Sequence, residues 1–332
     1  MAPTARPTVI GLDIGGSKFS AALCEADGTV HELRRERTGP EWTARRYVTA
    51  ILEATAHLVD AAQQRGRPVT AIGIGFGGPV DPWQGVIRRS HHVAGWEGYP
   101  LAQDVAGRFG LPVRLDNDAN AGALAELYYG AGRGFRDILY VNIGTGIGGA
   151  VIIGGRLLHG ATGMAGEIGH MIVQPDGPVC TCGKRGCLEA LCAGPGIARR
   201  ARERLRGESA NTTALLADKE SRDVTSEDVL EAAKGGDAVA LELVNETARY
   251  LGIGIGNALN LLNSEVVILG GGVGEAGELL LAPLRREVAQ VALPGVAGAH
   301  VCAAALGYNA GVLGAAALAV VAVADEPLAP AS

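Results

Sequence analysis

The sequence predicts an α/β protein made of two similar halves, and three observations predict it. Short apolar runs rich in β-branched residues alternate along the chain with stretches of helical apolar spacing. Twice, a strand-like run ends in a glycine turn carrying a hydroxyl residue, Ser17 after residues 8–14 and Thr145 after residues 138–143, and extended chain resumes beyond it. The third observation is size, since 332 residues suffice for two domains of ordinary dimensions.

Each element follows from local pattern. The run TVIGLDI, residues 8–14, reads as a strand that stops at Gly15-Gly16. Residues 19–24 and 29–33 flank Asp27-Gly28, a hairpin signal. Helical spacing spans 43–64, with Val48, Ile51, Leu52, Ala56, Leu58 and Val59 on the apolar face and Gly66 and Pro68 ending it. A strand over 70–74 enters the glycine-rich turn 75–79. A helix over 101–109, a strand over 113–115, the polar trio Asp116-Asn117-Asp118 and a helix over 119–129 come next. In the second half, a strand over 138–143 feeds the glycine-rich 144–149, and a long helix covers 238–261. A strand over 266–269 then runs into Gly270-Gly271-Gly272, and a terminal helix spans 307–324 before a frayed tail at 325–332.

Composition narrows the function. Apolar residues at 48% and charged residues at 19% are globular proportions, and fifty glycines are about twice the usual frequency, which implies many tight turns and close backbone approaches. A net charge of −6 opposes a polyanionic partner, so nucleic acid is not an expected ligand. The first residues lack a basic segment followed by an apolar one, and the longest apolar run, 310–324, is shorter than the roughly 20 residues that span a bilayer. A cytoplasmic protein with no membrane partner is expected, with six cysteines in metal or packing roles and not in disulfides.

Several residues carry chemistry. Asp13, Gly15, Gly16, Ser17 and Lys18 put a carboxylate, free backbone N–H groups, a hydroxyl and an amine at one strand end, where phosphate oxygens and a hydrated magnesium ion can be held. A plain glycine hairpin has a similar appearance. The turn Gly144-Thr145-Gly146 supplies a second phosphate cradle, and Gly270 to Gly274, with Gly271 and Gly272 at its centre, can lie flat against an adenine. Asp118 stands at a strand end, where it can take the proton of an attacking hydroxyl while Asn117 orients the substrate; helix capping is the competing use of both. His170, Cys180, Cys182 and Cys187 are one imidazole and three thiolates, with Gly183 and Gly186 letting the chain curl around one tetrahedral zinc ion. Four protein ligands leave no open position, so this zinc is structural. Glu167 and Glu189 flank the cluster as acceptors for the hydroxyls of a polyol, with plain surface solvation as the competing use, and Cys24, Cys192 and Cys302 read as buried small hydrophobes.

The motifs DIGGSK at 13–18, GFGGPVD at 75–81, NDANA at 117–121, IGTGIGG at 143–149, GEIGH at 166–170, CTCGKRGCLEA at 180–190 and LGGGV at 269–273 resemble those of the ROK sugar kinases, bacterial glucokinases above all. The resemblance implies the actin-like (ribonuclease H-like) ATPase fold, with nucleotide and sugar in a cleft between two domains. A small domain is expected over 1–115 with 307–332 returning to it, and a large domain with the zinc site over 116–306. It further implies transfer from ATP, with magnesium, to the 6-hydroxyl of a free hexose, most simply glucose. By position, Asp118 is the base and Gly78, Asn117, Glu167, His170 and Glu189 bind sugar, with His170 sharing its ring between zinc and a hydroxyl. Asp13, Gly15, Gly16, Ser17, Lys18, Gly144, Thr145 and Gly146 meet phosphate. A homo-oligomer, dimer or tetramer, is the common state of such proteins.

Two departures bear on this. Ser17 stands where threonine is usual, and His92 where many relatives have asparagine four residues before the tryptophan of Gly95-Trp96. Alternatives are an N-acetylglucosamine, N-acetylmannosamine or other hexose kinase, polyphosphate in place of ATP, and a sugar-sensing regulator. For the regulator, Asp13 comes too early to leave room for a preceding helix-turn-helix domain.

Overall fold

Strand β1 (Thr8–Ile14) pairs antiparallel with β2 (Lys18–Glu25), and β2 with β3 (Val30–Arg37), which places the hairpin where Asp27-Gly28 predicts it. These elements and those below belong to a computed structural model that describes residues 7–16, 18–39, 41–90, 93–207 and 223–323. Ser17, His92 and the tail at 325–332 lie outside the described residues.

The chain divides into two compact units, one within Met1–Arg136, Val151–Ala165 and Ala305–Ser332, the other within Asp137–Ala150 and Gly166–Ala304. In the first, helix α1 (Ala44–Gln64) leads to β4 (Val69–Phe76), parallel to β1, and a two-stranded ribbon β5 (Val80–Asp81) and β6 (Val86–Ile87) follows. Helix α2 (Leu101–Phe109) then precedes β7 (Val113–Asn117), parallel to β4, and helix α3 (Asp118–Tyr129). The sheet order is β3-β2-β1-β4-β7. On one face the side chains of α1 and α2 meet Ile10, Leu12, Ile72 and Ile74; on the other, the last helix of the chain meets Val9, Ala22 and Ala71.

The second unit begins with β8 (Ile138–Ile143), followed by β9 (Ile147–Ile153) and β10 (Arg156–Leu157), and a three-residue 3-10 turn, Ile168–His170, precedes the cysteine loop. Helices α4 (Leu188–Cys192), α5 (Gly194–Gly207), α6 (Ser226–Lys234) and α7 (Ala238–Leu262) come next, then β11 (Val266–Gly270), α8 (Gly271–Gly274), α9 (Glu278–Val291) and β12 (His300–Ala303). Helix α7 packs on α9 and on α4 to α6. The sheet order β10-β9-β8-β11-β12 repeats that of the first sheet position for position, so the paired halves anticipated from the two glycine turns are a repeat of topology. This is the actin-like architecture that the resemblance implies.

The last helix, α10 (Ala310–Val323), starts after a 3-10 turn at Gly307–Asn309, with its apolar run and three residues later than the expected start at 307. It is apolar all round because it is covered all round, by β1 and β4 on one side and α3 on the other. A Cβ on Gly73 would overlap the backbone of Ala315, so glycine in β4 is what lets helix and sheet touch. Among the described residues no helix is long and apolar enough to cross a membrane.

Two boundaries differ from expectation. Helix α3 stays with the first unit, whose first stretch ends at Arg136 and not at residue 115, because α3 packs along α10. The glycine turn expected after a strand ending at 269 is formed by the last residue of β11 and one helical turn, since Gly271 at φ 80° redirects the chain at once.

Candidate active site

Parallel pairing brings three strand ends level. The register sets Ile14 beside Phe76 and Phe76 beside Asn117, so Gly15-Gly16, Gly77-Gly78 and Asn117-Asp118 leave β1, β4 and β7 at one end of the sheet. Carboxyl ends of parallel strands are where α/β sheets bind ligands. In the glycine turn Gly15 donates to the Lys18 carbonyl at 3.0 Å, and the Tyr47 hydroxyl lies 3.2 Å from the carbonyls of both Gly15 and Gly16. Tyr47, which sequence reasoning took for neither site nor core, thus occupies the turn's carbonyls. Lys18 holds its ammonium 4.0 Å over the Tyr308 ring, shared with Arg35 at 4.4 Å.

The corner after β7 settles which residue caps α3. Asn117 is the N-cap: its Oδ1 accepts the Ala119 N–H at 2.8 Å, while its Nδ2 donates to the Gly78 carbonyl at 3.2 Å. Asp118 therefore sits in the first helical turn with the cap already supplied. Solvent reaches Asp118, yet protein crowds its carboxyl, and this desolvation together with the Asp13 carboxylate pushes its pKa up to about 6. Asp13 is itself raised by burial, against the pull of Lys18 and Arg35. A carboxyl poised near neutrality is suited to taking and returning a proton. A single carboxylate such as Asp13 is also a sufficient protein anchor for magnesium, which keeps most of its waters.

In the second unit the turn at 144–146 closes with Gly144 donating to the Gly146 carbonyl at 2.9 Å. Gly270 lies opposite Asn142 in the parallel pairing of β11 with β8, so Gly271-Gly272 and the 144–146 turn leave neighbouring strands at the same end. Glu189, in the first turn of α4, accepts the Ile147 N–H through Oε2 at 3.0 Å and the Thr181 hydroxyl through Oε1 at 3.0 Å. Thr181 went unremarked in the sequence because a lone threonine between two cysteines carries no pattern.

The ligand atoms of His170, Cys180, Cys182 and Cys187 all lie within 4.8 Å of one another. Cys182 and Cys187 sulfurs are 3.7 Å apart, and the Cys180 sulfur is 3.8 Å from His170 Nδ1. Tetrahedral zinc at about 2.3 Å from each sulfur requires sulfur separations of about 3.8 Å, so the donor set fits that ion. Burial pushes Cys187 up to about 12 and raises Cys180, so a cation among the sulfurs is what would make them thiolates. Gly183 and Gly186, at φ 85° and 74°, curl the loop as the spacing predicts. His170 turns Nδ1 to the cluster and leaves Nε2 3.9 Å from the half-exposed Glu167 carboxylate.

The candidate residues thus fall into two groups: Asp13, Gly15, Gly16, Lys18, Gly78, Asn117 and Asp118 in the first unit, and Gly144 to Gly146, Glu167, His170, the three cysteines, Glu189, Gly271 and Gly272 in the second. Among the other cysteines, Cys24 and Cys192 are buried, and burial pushes both thiols up to about 12. Cys302 is only half-buried, because it stands on β12 at the sheet edge.

Residues 9–321 match the ROK family. A glucokinase of Halalkalibacterium halodurans is 38% identical over 307 residues, 92% of each chain. An N-acetylmannosamine kinase of Escherichia fergusonii is 34% identical over 244 residues, 74% of this chain and 76% of that one. The crystal structure of a ROK family glucokinase from Streptomyces griseus in complex with glucose and AMPPNP superposes with a TM-score of 0.79 at 38% identity, covering 94% of this chain and 99% of that one. A ROK hexokinase from Thermus thermophilus gives 0.80 at 36% identity, over 96% and 100%.

Proposed function

This chain belongs to the ROK family, and from that premise we propose that it is an ATP-dependent kinase that phosphorylates glucose on its 6-hydroxyl. The observation that carries the reading is Asp118, a carboxyl raised to about 6 at the strand end where Asn117 supplies the cap. The glucokinase and hexokinase relatives support it.

In this reading Asp118 accepts the proton of the 6-hydroxyl as that oxygen attacks the terminal phosphorus of ATP, and the bond to the leaving ADP oxygen breaks. Asn117, locked between Ala119 and Gly78, fixes the corner from which Asp118 acts. Gly15, Gly16 and Lys18 take phosphate oxygens in the first unit, and Gly144, Thr145 and Gly146 take them in the second; Gly271-Gly272 lies flat against the base. Asp13 would anchor a hydrated magnesium ion, whose charge would offset that of the phosphates. Glu167 and Glu189 accept sugar hydroxyls and His170 Nε2–H donates to one, and a zinc ion held by His170, Cys180, Cys182 and Cys187 would supply rigidity to the loop that bears them. A cytoplasmic dimer or tetramer belongs to the same proposal and is checked by sedimentation.

The 34% identity to an N-acetylmannosamine kinase supports a second reading, in which an acetamido sugar is the acceptor. The test is ADP and sugar phosphate release with glucose, mannose, fructose, N-acetylglucosamine and N-acetylmannosamine, using ATP and then polyphosphate. Glucose with ATP should give the highest kcat/KM. A higher value for an acetamido sugar would replace glucose, and no turnover with any sugar would leave the regulator.

A further inference from the structure

We propose that Asp116 and His159 form a positioning pair that holds the Asn117-Asp118 corner in its working geometry. The inference rests on the reading of Asp118 as base, and it concerns two residues with no role in that reading.

Asp116 is 2% exposed, and a carboxylate that deep needs donors for both oxygens. It has three. Oδ1 accepts the N–H of Asn117 at 2.8 Å and the Asn120 Nδ2–H at 2.7 Å, and Oδ2 accepts from His159 Nε2 at 2.6 Å. The first two donors bracket Asp118 in sequence, one on the last residue of β7 and one in the first turn of α3. The Asn120 Oδ1 is buried with no hydrogen-bond partner among the described residues, so the bond to Asp116 anchors its amide. Strand end, cap residue and first helical turn thus converge on one carboxylate, whose rotation would release all of them.

His159 is what prevents that rotation. It is half-buried on the loop after β10, where its carbonyl accepts the Ala165 N–H at 3.1 Å and its ring lies 5.9 Å from that of Trp83. A carboxylate oxygen can only accept, so Nε2 is the donor and the ring's tautomer is fixed by the pair. Deleting this donor leaves Oδ2 buried and unpaired, and the carboxylate gains by turning toward other donors at the expense of Asn117 and Asn120. A base displaced by about 1 Å can lose on the order of a hundredfold in rate.

The variants His159→Leu, His159→Asn and His159→Gln separate positioning from packing. Glutamine can place a nitrogen donor near the Nε2 position, whereas asparagine is too short. The expected result is a kcat for the hexose lowered about tenfold to a hundredfold in the Leu and Asn variants, with KM for ATP unchanged, and a value within about threefold of the parent for Gln. Amide hydrogen exchange at residues 117–120 should quicken in the same two variants and not in Gln. Thermal melts confirm that each is folded, and should Leu not fold, Asn against Gln carries the comparison. Full kcat and full amide protection in the Leu or Asn variant would overturn the pair, as would a loss that Gln fails to repair. If the parent protein phosphorylates no hexose, the kinase reading falls, while amide exchange alone still decides whether His159 holds the corner.

Discussion

Glu189 accepts the backbone N–H of Ile147 at 3.0 Å, and this bond joins the metal loop to the glycine turn at 144–146 within the second unit. The other oxygen of the same carboxylate receives the hydroxyl of Thr181, which lies between two of the cysteine ligands. The carboxylate is therefore aimed from both sides, and one of those sides is only as rigid as the cysteine loop.

Loss of the metal should consequently be felt at the sugar. Cys182→Ser, or exhaustive chelation of the parent, is expected to lower Tm by about 5 °C or more and to raise the KM for glucose roughly tenfold while the KM for ATP moves less. Metal analysis and steady-state kinetics on the same preparation check it. A metal-free protein with unchanged Tm and unchanged glucose KM would refute the structural role of the site.

Replacing Asp118, the proposed base, should have a kinetic and a thermodynamic consequence of opposite sense. Asp118→Asn is expected to lower kcat by about a thousandfold, within the range for a lost general base, with sugar binding retained. The folded carboxyl titrates near 6 against about 3.9 in an unfolded chain, so its protonated form is the one folding favours. Its contribution to stability is complete below the unfolded value and is lost as pH rises through the folded one. Asparagine escapes that loss, so the Tm of the variant relative to the parent should increase between about pH 4 and about pH 6 and level off above that.

The same ionisation shapes the rate. Because the base must be unprotonated to accept a proton, log kcat/KM for the parent should fall with unit slope below about pH 6. The profile is read with saturating magnesium, which separates Asp118 from ATP titration. A flat profile down to about pH 5 would move proton acceptance to another group.

Much of this was legible from residues alone, and the reasons differ by part. Strand β1 falls where its continuous apolar run places it, because both its faces are buried, and helix α1 falls where its period places it, because it buries one face. The cluster of His170 and three cysteines, close enough together to hold a metal, was legible because its spacing is local and its chemistry narrow. Helix α9 was not, since Pro283 reads as a breaker although it lies inside the helix, and β12 is four residues long. Nor was the Asp116 and His159 pair: the partners are far apart in sequence, and only the folded loop after β10 brings a lone histidine to a buried carboxylate. The boundary at Arg136 was likewise hidden, because it depends on α3 packing against a helix from the far end of the chain.

That same returning helix yields the last prediction. Gly311, the second residue of α10, faces the carboxylate of Asp13, and a Cβ built there would lie 2.5 Å from Oδ2. Alanine is intrinsically better than glycine in a helix by roughly 0.5–1 kcal/mol, so propensity alone would make Gly311→Ala stabilising. The contact works against it, and since a carboxylate at a strand end can turn away more cheaply than α10 can leave the sheet, the strain should fall on Asp13. The expected outcome is a Tm within about 3 °C of the parent together with a roughly tenfold rise in the KM for magnesium ATP, the KM for glucose changing little. A titration with magnesium at fixed ATP checks the assignment, because a displaced anchor should need more metal for half-maximal rate. Unchanged magnesium dependence with a lowered Tm would instead mean that the helix had moved and that Asp13 had not.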